Sequence, residues 1–275
     1  LTSQLERPRR ATAVYCQRPP TLDGETEDWP AGEPMNIRLV RGNQDQLLEM
    51  AEARLGFDAD HLYLYARGLD QNPLANAATD AAICFQKGDA FDLQIGFDAA
   101  ADPGRKTAVA GDLRLLFALI KDQPKVMLMR YVAGEQPTVG APRHFESPVA
   151  QTEIADLGLL KDAKLHLERR DIGGAQWFVL EAAIPWKALG WQPPKDQSFA
   201  LRGDLGVLDS DPNGIMTVSR TYWANRQNVA MGDQPLEARI HAPLWGEWQF
   251  RLPSLSDQMI LPDDTGGAAD ELLLP

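Results

Sequence analysis

The feature that most constrains this chain is alternation with a period of two. Phe91, Leu93, Ile95 and Phe97 alternate with Asp92, Gln94 and Gly96. Leu113, Leu115, Phe117 and Leu119 share one parity, with Arg114 on the other. Phe199, Leu201, Gly203, Leu205 and Val207 alternate with Arg202 and Asp204. Successive side chains of a strand point to opposite faces, so each run reads as a half-buried strand. Shorter runs at 13–16, 35–40, 51–57, 61–69, 125–132, 164–170 and 176–184 read the same way.

The punctuation between these runs agrees. Asp23-Gly24 supplies the positive φ of a tight turn, and Gly173-Gly174 between two strands signals a hairpin. Only 185–190 reads as a helical turn, with Pro185 at its start and Gly190 at its end. Residues 70–88 and 133–148 read as irregular connections. About a dozen short strands with hardly any helix predict an all-β fold, an antiparallel β-sandwich of two sheets in the jelly-roll or immunoglobulin-like manner. The expected organisation is a lead-in over 1–12, one sandwich over 13–252 and an acidic tail or linker over 253–275.

Composition removes several function classes. A formal charge of −12 over 275 residues leaves no Lys/Arg stripe for nucleic acid and disfavours anionic lipid. No run of 18 apolar residues exists, so membrane insertion is not expected. The two cysteines, Cys16 and Cys84, have no zinc or haem-attachment spacing. A Cys16–Cys84 disulfide and two separate buried thiols both remain open. The sequence starts at Leu1 with neither methionine nor signal peptide, so it reads as a trimmed mature protein or part of a longer one.

Polar residues on the strand faces mark the candidate site. Asp92, Arg114, Arg202 and Asp204 stand opposite the apolar parity, a polar front that suggests a ligand surface without naming the ligand. The carboxylate pair Asp92 and Asp204 has a conceivable acid–base role, and neighbouring arginines favour hydrogen bonding over proton donation. No nucleophile elbow or phosphate loop occurs, so an enzyme is not expected. Asp209, Asp211, Asn213 and Gly214 match the first half of a calcium loop, although its twelfth position holds Arg220. A plain Asn-Gly turn is the first reading of this stretch, with a structural calcium site at Asp209, Asp211 and Asn213 as the alternative.

Five phrases, taken in order, resemble the family 9 carbohydrate-binding modules and their relatives in the DOMON-like β-sandwich superfamily. They are Leu22-Asp23-Gly24 with Trp29, Phe57-Asp58-Ala59-Asp60, Gly88-Asp89-Ala90-Phe91-Asp92, Glu181-Ala182-Ala183-Ile184-Pro185-Trp186 and Pro243-Leu244-Trp245-Gly246. The resemblance spans about residues 13 to 250. It implies a non-catalytic carbohydrate-binding module of an exported, bacterial-type protein, secreted or periplasmic, with a sugar on a concave sheet face. It carries the sugar-binding acid and arginine onto Asp92 and Arg114.

Where sugar-binding members place two stacking tryptophans, this chain has Phe85-Gln86 and Arg239-Ile240-His241. Trp223 is then the expected stacking ring, with Trp177 and Trp191 as substitutes. Some relatives hold a b-type haem instead, for which Met127, Met129, Met216 and Met231 with Lys121 or His241 are available. A ligand-free scaffold or interaction module of a longer chain is the third expectation.

Overall fold

The computed structural model describes residues 8–40, 47–69, 74–227 and 231–253, with side chains described outside 38–40 and 47–50. Residues 1–7 of the expected lead-in, and the expected tail from 254 onward, lie outside the described residues. Among the described residues fourteen strands run in chain order: β1 (Arg10–Tyr15), β2 (Met35–Val40), β3 (Leu47–Phe57), β4 (His61–Leu69), β5 (Ala90–Gly96), β6 (Asp112–Ile120) and β7 (Gln123–Arg130). Then come β8 (Ala141–Glu146), β9 (Gln151–Leu159), β10 (Lys164–Ile172), β11 (Ala175–Pro185), β12 (Phe199–Ser210), β13 (Thr217–Tyr222) and β14 (Gly246–Arg251). Helix α1 (Trp186–Leu189) follows β11, and α2 (Gln234–Ala238) lies between β13 and β14.

Hydrogen bonding follows the order β10-β11-β4-β3-β1-β14-β12-β5-β6-β7-β9-β8, with β2 on β3 and β13 on β12. All pairings are antiparallel except at β1, which runs parallel to both β14 and β3. The path folds on itself at that seam into two layers. Phe91 of β5 meets Phe178 of β11 across the middle, ring centroids 4.6 Å apart. Leu93, Ile95, Leu115, Leu205, Leu64, Leu180 and Ile184 fill the same fully buried cluster. These are the apolar parities on which the sandwich was predicted.

The turns form for the expected reasons. Gly173 and Gly174 have φ of 64° and 83° and join β10 to β11 through a two-residue loop. Pro185 and Gly190 bound α1, Gly190 in the left-handed region. Several elements depart from expectation, β9 and β14 among them, which lie in stretches without a strand reading. Strand β8 lies in the stretch read as irregular, because this edge strand is exposed at nearly every residue and carries no alternation. Helix α2 is only five residues long, too short for a periodic signal, and starts at Asp233, whose side chain accepts from the Leu236 amide.

The face opposite the sandwich core is not open. Leu116, Ala118, Met127, Met129, Leu157 and Leu208 form a second core there. Phe85 and Cys84, from the segment before β5, and Ala238, Ile240 and Trp245, from the segment carrying α2, complete the same cluster. The layer built on β12, β5, β6, β7 and β9 is therefore buried on both sides.

Candidate functional site

The structure brings Asp92, Arg114 and Asp204 to one face. The strand register aligns Asp204 with Gln94 and Gln94 with Arg114, while Asp92 lies opposite Gly206 on the same parity. Arg114 and Asp92 make a bidentate pair, Nε donating to Oδ1 at 2.9 Å and Nη2 to Oδ2 at 2.7 Å. Tyr222 Oη donates to the same carboxylate. Arg114 also lies over the Phe85 ring.

The rest of the hollow is filled by α2. Its backbone carbonyls accept from Arg114 Nη1 (Glu237, 2.7 Å), Tyr131 Oη (Ala238, 2.6 Å) and Thr152 Oγ1 (Pro235, 2.7 Å). The Glu237 side chain pairs with buried Arg220. Asp92 and Arg114 are each 0% exposed. The expectation that they contact a ligand is corrected here, because the chain's own helix stands where the ligand was placed.

Electrostatics explain how the charges persist. Burial opposes the Arg114 charge, but the Asp92 carboxylate outweighs it and holds the guanidinium above its usual range. Burial pushes the Asp204 carboxyl up to about 7, against the pull of three backbone amides. Those amides belong to Leu205, Ala224 and Asn225, at 2.8–2.9 Å. Asp204 therefore anchors the chain's own turn after β13, which corrects its expected ligand role. Tyr222, Tyr131, Arg220 and Glu237 were not anticipated as members of this network. Their signal was a set of polar residues in segments otherwise destined for a core.

The remaining candidates lie apart. Arg202 is four residues along β12 from the Asp92 row, roughly 13 Å at strand rise. It donates to the carbonyls of Pro103 and Trp245. Trp223 is 4% exposed and packs in the sandwich core beside Trp248, so it is a core ring rather than a stacking platform. Asp211 directs its carboxylate into its own turn, accepting from the amides of Asn213, Ile215 and Met216. Asp209 pairs with Ser219 in the β12–β13 ladder, and Arg220 turns inward to Glu237. Among the described residues, no three of His, Cys, Asp and Glu gather around a common point.

Of the haem candidates, Met127 and Met129 are core, whereas Met216 and Met231 are exposed. Cys16 and Cys84 lie in different clusters as free thiols, which settles the open alternative against the disulfide. Burial pushes each thiol up to about 12.

Three of the five phrases that carry the family resemblance touch one another, and the other two bond to residues outside the phrases. Glu181 accepts from Gly24 N at 2.6 Å and from Trp29 Nε1 at 2.7 Å. Trp186 Nε1 donates to the Asp58 carbonyl at 3.1 Å. Trp245 Nε1 donates to Gln94 at 3.1 Å, in the strand that the Gly-Asp phrase opens. Asp89 of that phrase braces Ala75 and Ser210 through their amides.

One open cleft lies away from the filled face. It holds about 260 Å³ and is lined by Phe97, Asp98, Val132, Gln136, Gly190 and Trp191, among others. Half-buried Trp191 lies parallel to Phe97, centroids 4.9 Å apart and planes 13° apart. Gln136 reaches across from the 133–140 connection and donates to the Gly190 carbonyl at 3.1 Å.

No family model matches this chain, and no curated protein matches it. In structure it is similar to a family 9 carbohydrate-binding module from Caldicellulosiruptor kristjanssonii in complex with glucose. The TM-score is 0.48 at 17% identity, covering 90% of this chain and 97% of that one. The same organism's family 9 module in complex with cellotriose gives 0.47 at 17% identity, covering 92% and 98%.

Proposed function

We propose that the protein is a non-catalytic carbohydrate-binding module of an exported protein. The observation that carries this reading is the mutual contact of three of the five phrases, those holding Gly24 and Trp29, Asp58, and Glu181 and Trp186. Glu181 with Gly24 and Trp29, and Trp186 with Asp58, tie loops and turns to the β11-β4-β3 layer, while Trp245 with Gln94 ties the segment after α2 to β5. For these three phrases the resemblance lies in framework residues that act on one another. Framework alone does not assign a ligand, and the ligand contacts of this chain must lie elsewhere than on the filled face.

The non-catalytic part rests on chemistry. A general acid or base must reach the proton it transfers. The paired carboxylates Asp92 and Asp204 are buried and committed to Arg114, Tyr222 and backbone amides. The filled face also favours a second reading, a scaffold module that takes no small ligand.

Affinity electrophoresis through gels containing soluble polysaccharides, with calorimetry on their oligosaccharides, separates the two. Retardation by at least one polysaccharide without release of reducing sugar is the expected result. Unretarded migration in every gel, with no heat from any oligosaccharide, overturns the carbohydrate reading in favour of the scaffold.

A further inference from the structure

We infer that the cleft beside Trp191 is the carbohydrate site, and that it takes one or two neutral sugar rings. This rests on the carbohydrate reading above and assigns it a place. At about 260 Å³ the cleft falls just below the roughly 300 Å³ at which small-molecule pockets begin. That is room for a short saccharide and not for a long glycan chain.

The lining has the two chemistries a sugar needs. Its apolar C–H face packs on aromatic and aliphatic surface, here the exposed part of Trp191 with Phe97 and Val132, the last 39% exposed. Its hydroxyls need donors and acceptors within the same cleft. Asp98 is exposed and accepts, and the Gln136 amide can do both. The Trp191 indole N–H has no acceptor among the described residues and is not buried, so it is free to donate. The exposed carboxylate of Asp98, on a chain of net charge −12, sets the ligand class as neutral rather than acidic.

The cleft is also held open in advance. Arg130, 5% exposed, pairs with Asp156 and donates to the Pro137 carbonyl at 3.3 Å and the Ala188 carbonyl at 2.7 Å. Asp156 in turn accepts from the amides of Val139 and Gly140. One buried ion pair thus ties α1 to the 133–140 connection, the two walls that face each other. Arg130 is a positioning residue, fixing the gap between the walls before a ligand enters.

Calorimetry supplies the test, using glucose, xylose, mannose, galactose, galacturonic acid and the one- to four-residue oligosaccharides of any polysaccharide that retards the protein. Three variants read the site. Ala133→Trp fills the cleft from an exposed position without touching the core, Trp191→Phe keeps the ring and removes the N–H, and Arg130→Lys keeps the charge and loses the fork. The cleft is supported if Ala133→Trp weakens binding at least about tenfold with an unchanged melting midpoint. Trp191→Phe and Arg130→Lys should each weaken it several-fold.

A sugar bound equally well by the wild type, Ala133→Trp and Trp191→Phe overturns the cleft while leaving the carbohydrate reading intact. Galacturonic acid bound as tightly as the neutral sugars overturns the neutral class. Absence of heat from every sugar in the wild type overturns both the reading and this inference.

Discussion

Replacing Asp92 by alanine tests the filled face directly, because two interpretations of the residue predict opposite readouts. As a ligand contact, Asp92 could be removed with little effect on folding. As the structure has it, removal leaves the Arg114 guanidinium buried at 0% exposure without its bidentate partner. Breaking one side of such a pair costs about 3–5 kcal/mol. The Tyr222 hydroxyl loses its acceptor at the same time, adding about 1 kcal/mol or more. A total near 4–6 kcal/mol is a large fraction of the roughly 5–15 kcal/mol that keeps a domain folded. It should lower the melting midpoint by about 8–24 °C at roughly 2–4 °C per kcal/mol.

The assay is urea and thermal unfolding followed by tryptophan fluorescence. Two controls frame it. Arg143→Ala breaks an exposed pair with Asp80 and should cost under about 1 kcal/mol. Asp92→Leu combined with Arg114→Met removes both charges, and should recover much of the single variant's loss. An Asp92→Ala protein that melts with the wild type refutes the account of this face. A charge-free double variant no better than the single one would assign the loss to packing instead.

Further outcomes follow from the same geometry. Asp204 holds its proton up to about 7 in the fold, against about 3.9 in the unfolded chain. The native state therefore binds more protons across that window, and this carboxyl's contribution makes stability fall as pH rises from about 4 to 7. Asp204→Asn, whose neutral amide stands in for the protonated carboxyl, should gain stability relative to the wild type as pH rises through the window. A constant difference would count against the assignment. Dithionitrobenzoate should find no reactive thiol in the native protein and two after denaturation, because Cys16 and Cys84 are both buried and free. Fewer than two in the denatured chain would restore the disulfide. Adding EDTA should leave the melting midpoint in place, since Asp211 is spent on its own turn; a drop of several degrees would bring calcium back.

Much of the architecture was legible because one strand parity carries nearly all the large apolar residues. Phe91, Leu93 and Ile95, or Leu113, Leu115 and Phe117, announce a buried face without help from distant contacts. The second core was harder to read, although part of its signal is present. Strand β6 places Leu116, Ala118 and Ile120 on the parity of Arg114, and β7 adds Met127 and Met129 beside them. A strand apolar on both parities is buried on both sides, so Arg114 among such neighbours marks an interior arginine rather than an exposed one. Nothing local announces that α2 closes the hollow, since Glu237, Ala238 and Pro235 contribute backbone carbonyls that any sequence would supply. The cleft was only partly legible: Trp191 stood out as a ring, but Phe97, Asp98 and Gln136 converge on it from elements far apart in the chain.

The seam at β1 has a consequence for a chain under load. Its first strand enters at Arg10 beside Glu247, and its last leaves at Arg251 beside Val14, the two running the same way. Tension drawn between those two ends slides the strands lengthwise past each other. The bonds of that ladder then share the strain together instead of parting in sequence like a zip, which makes the seam a stiff joint against stretching.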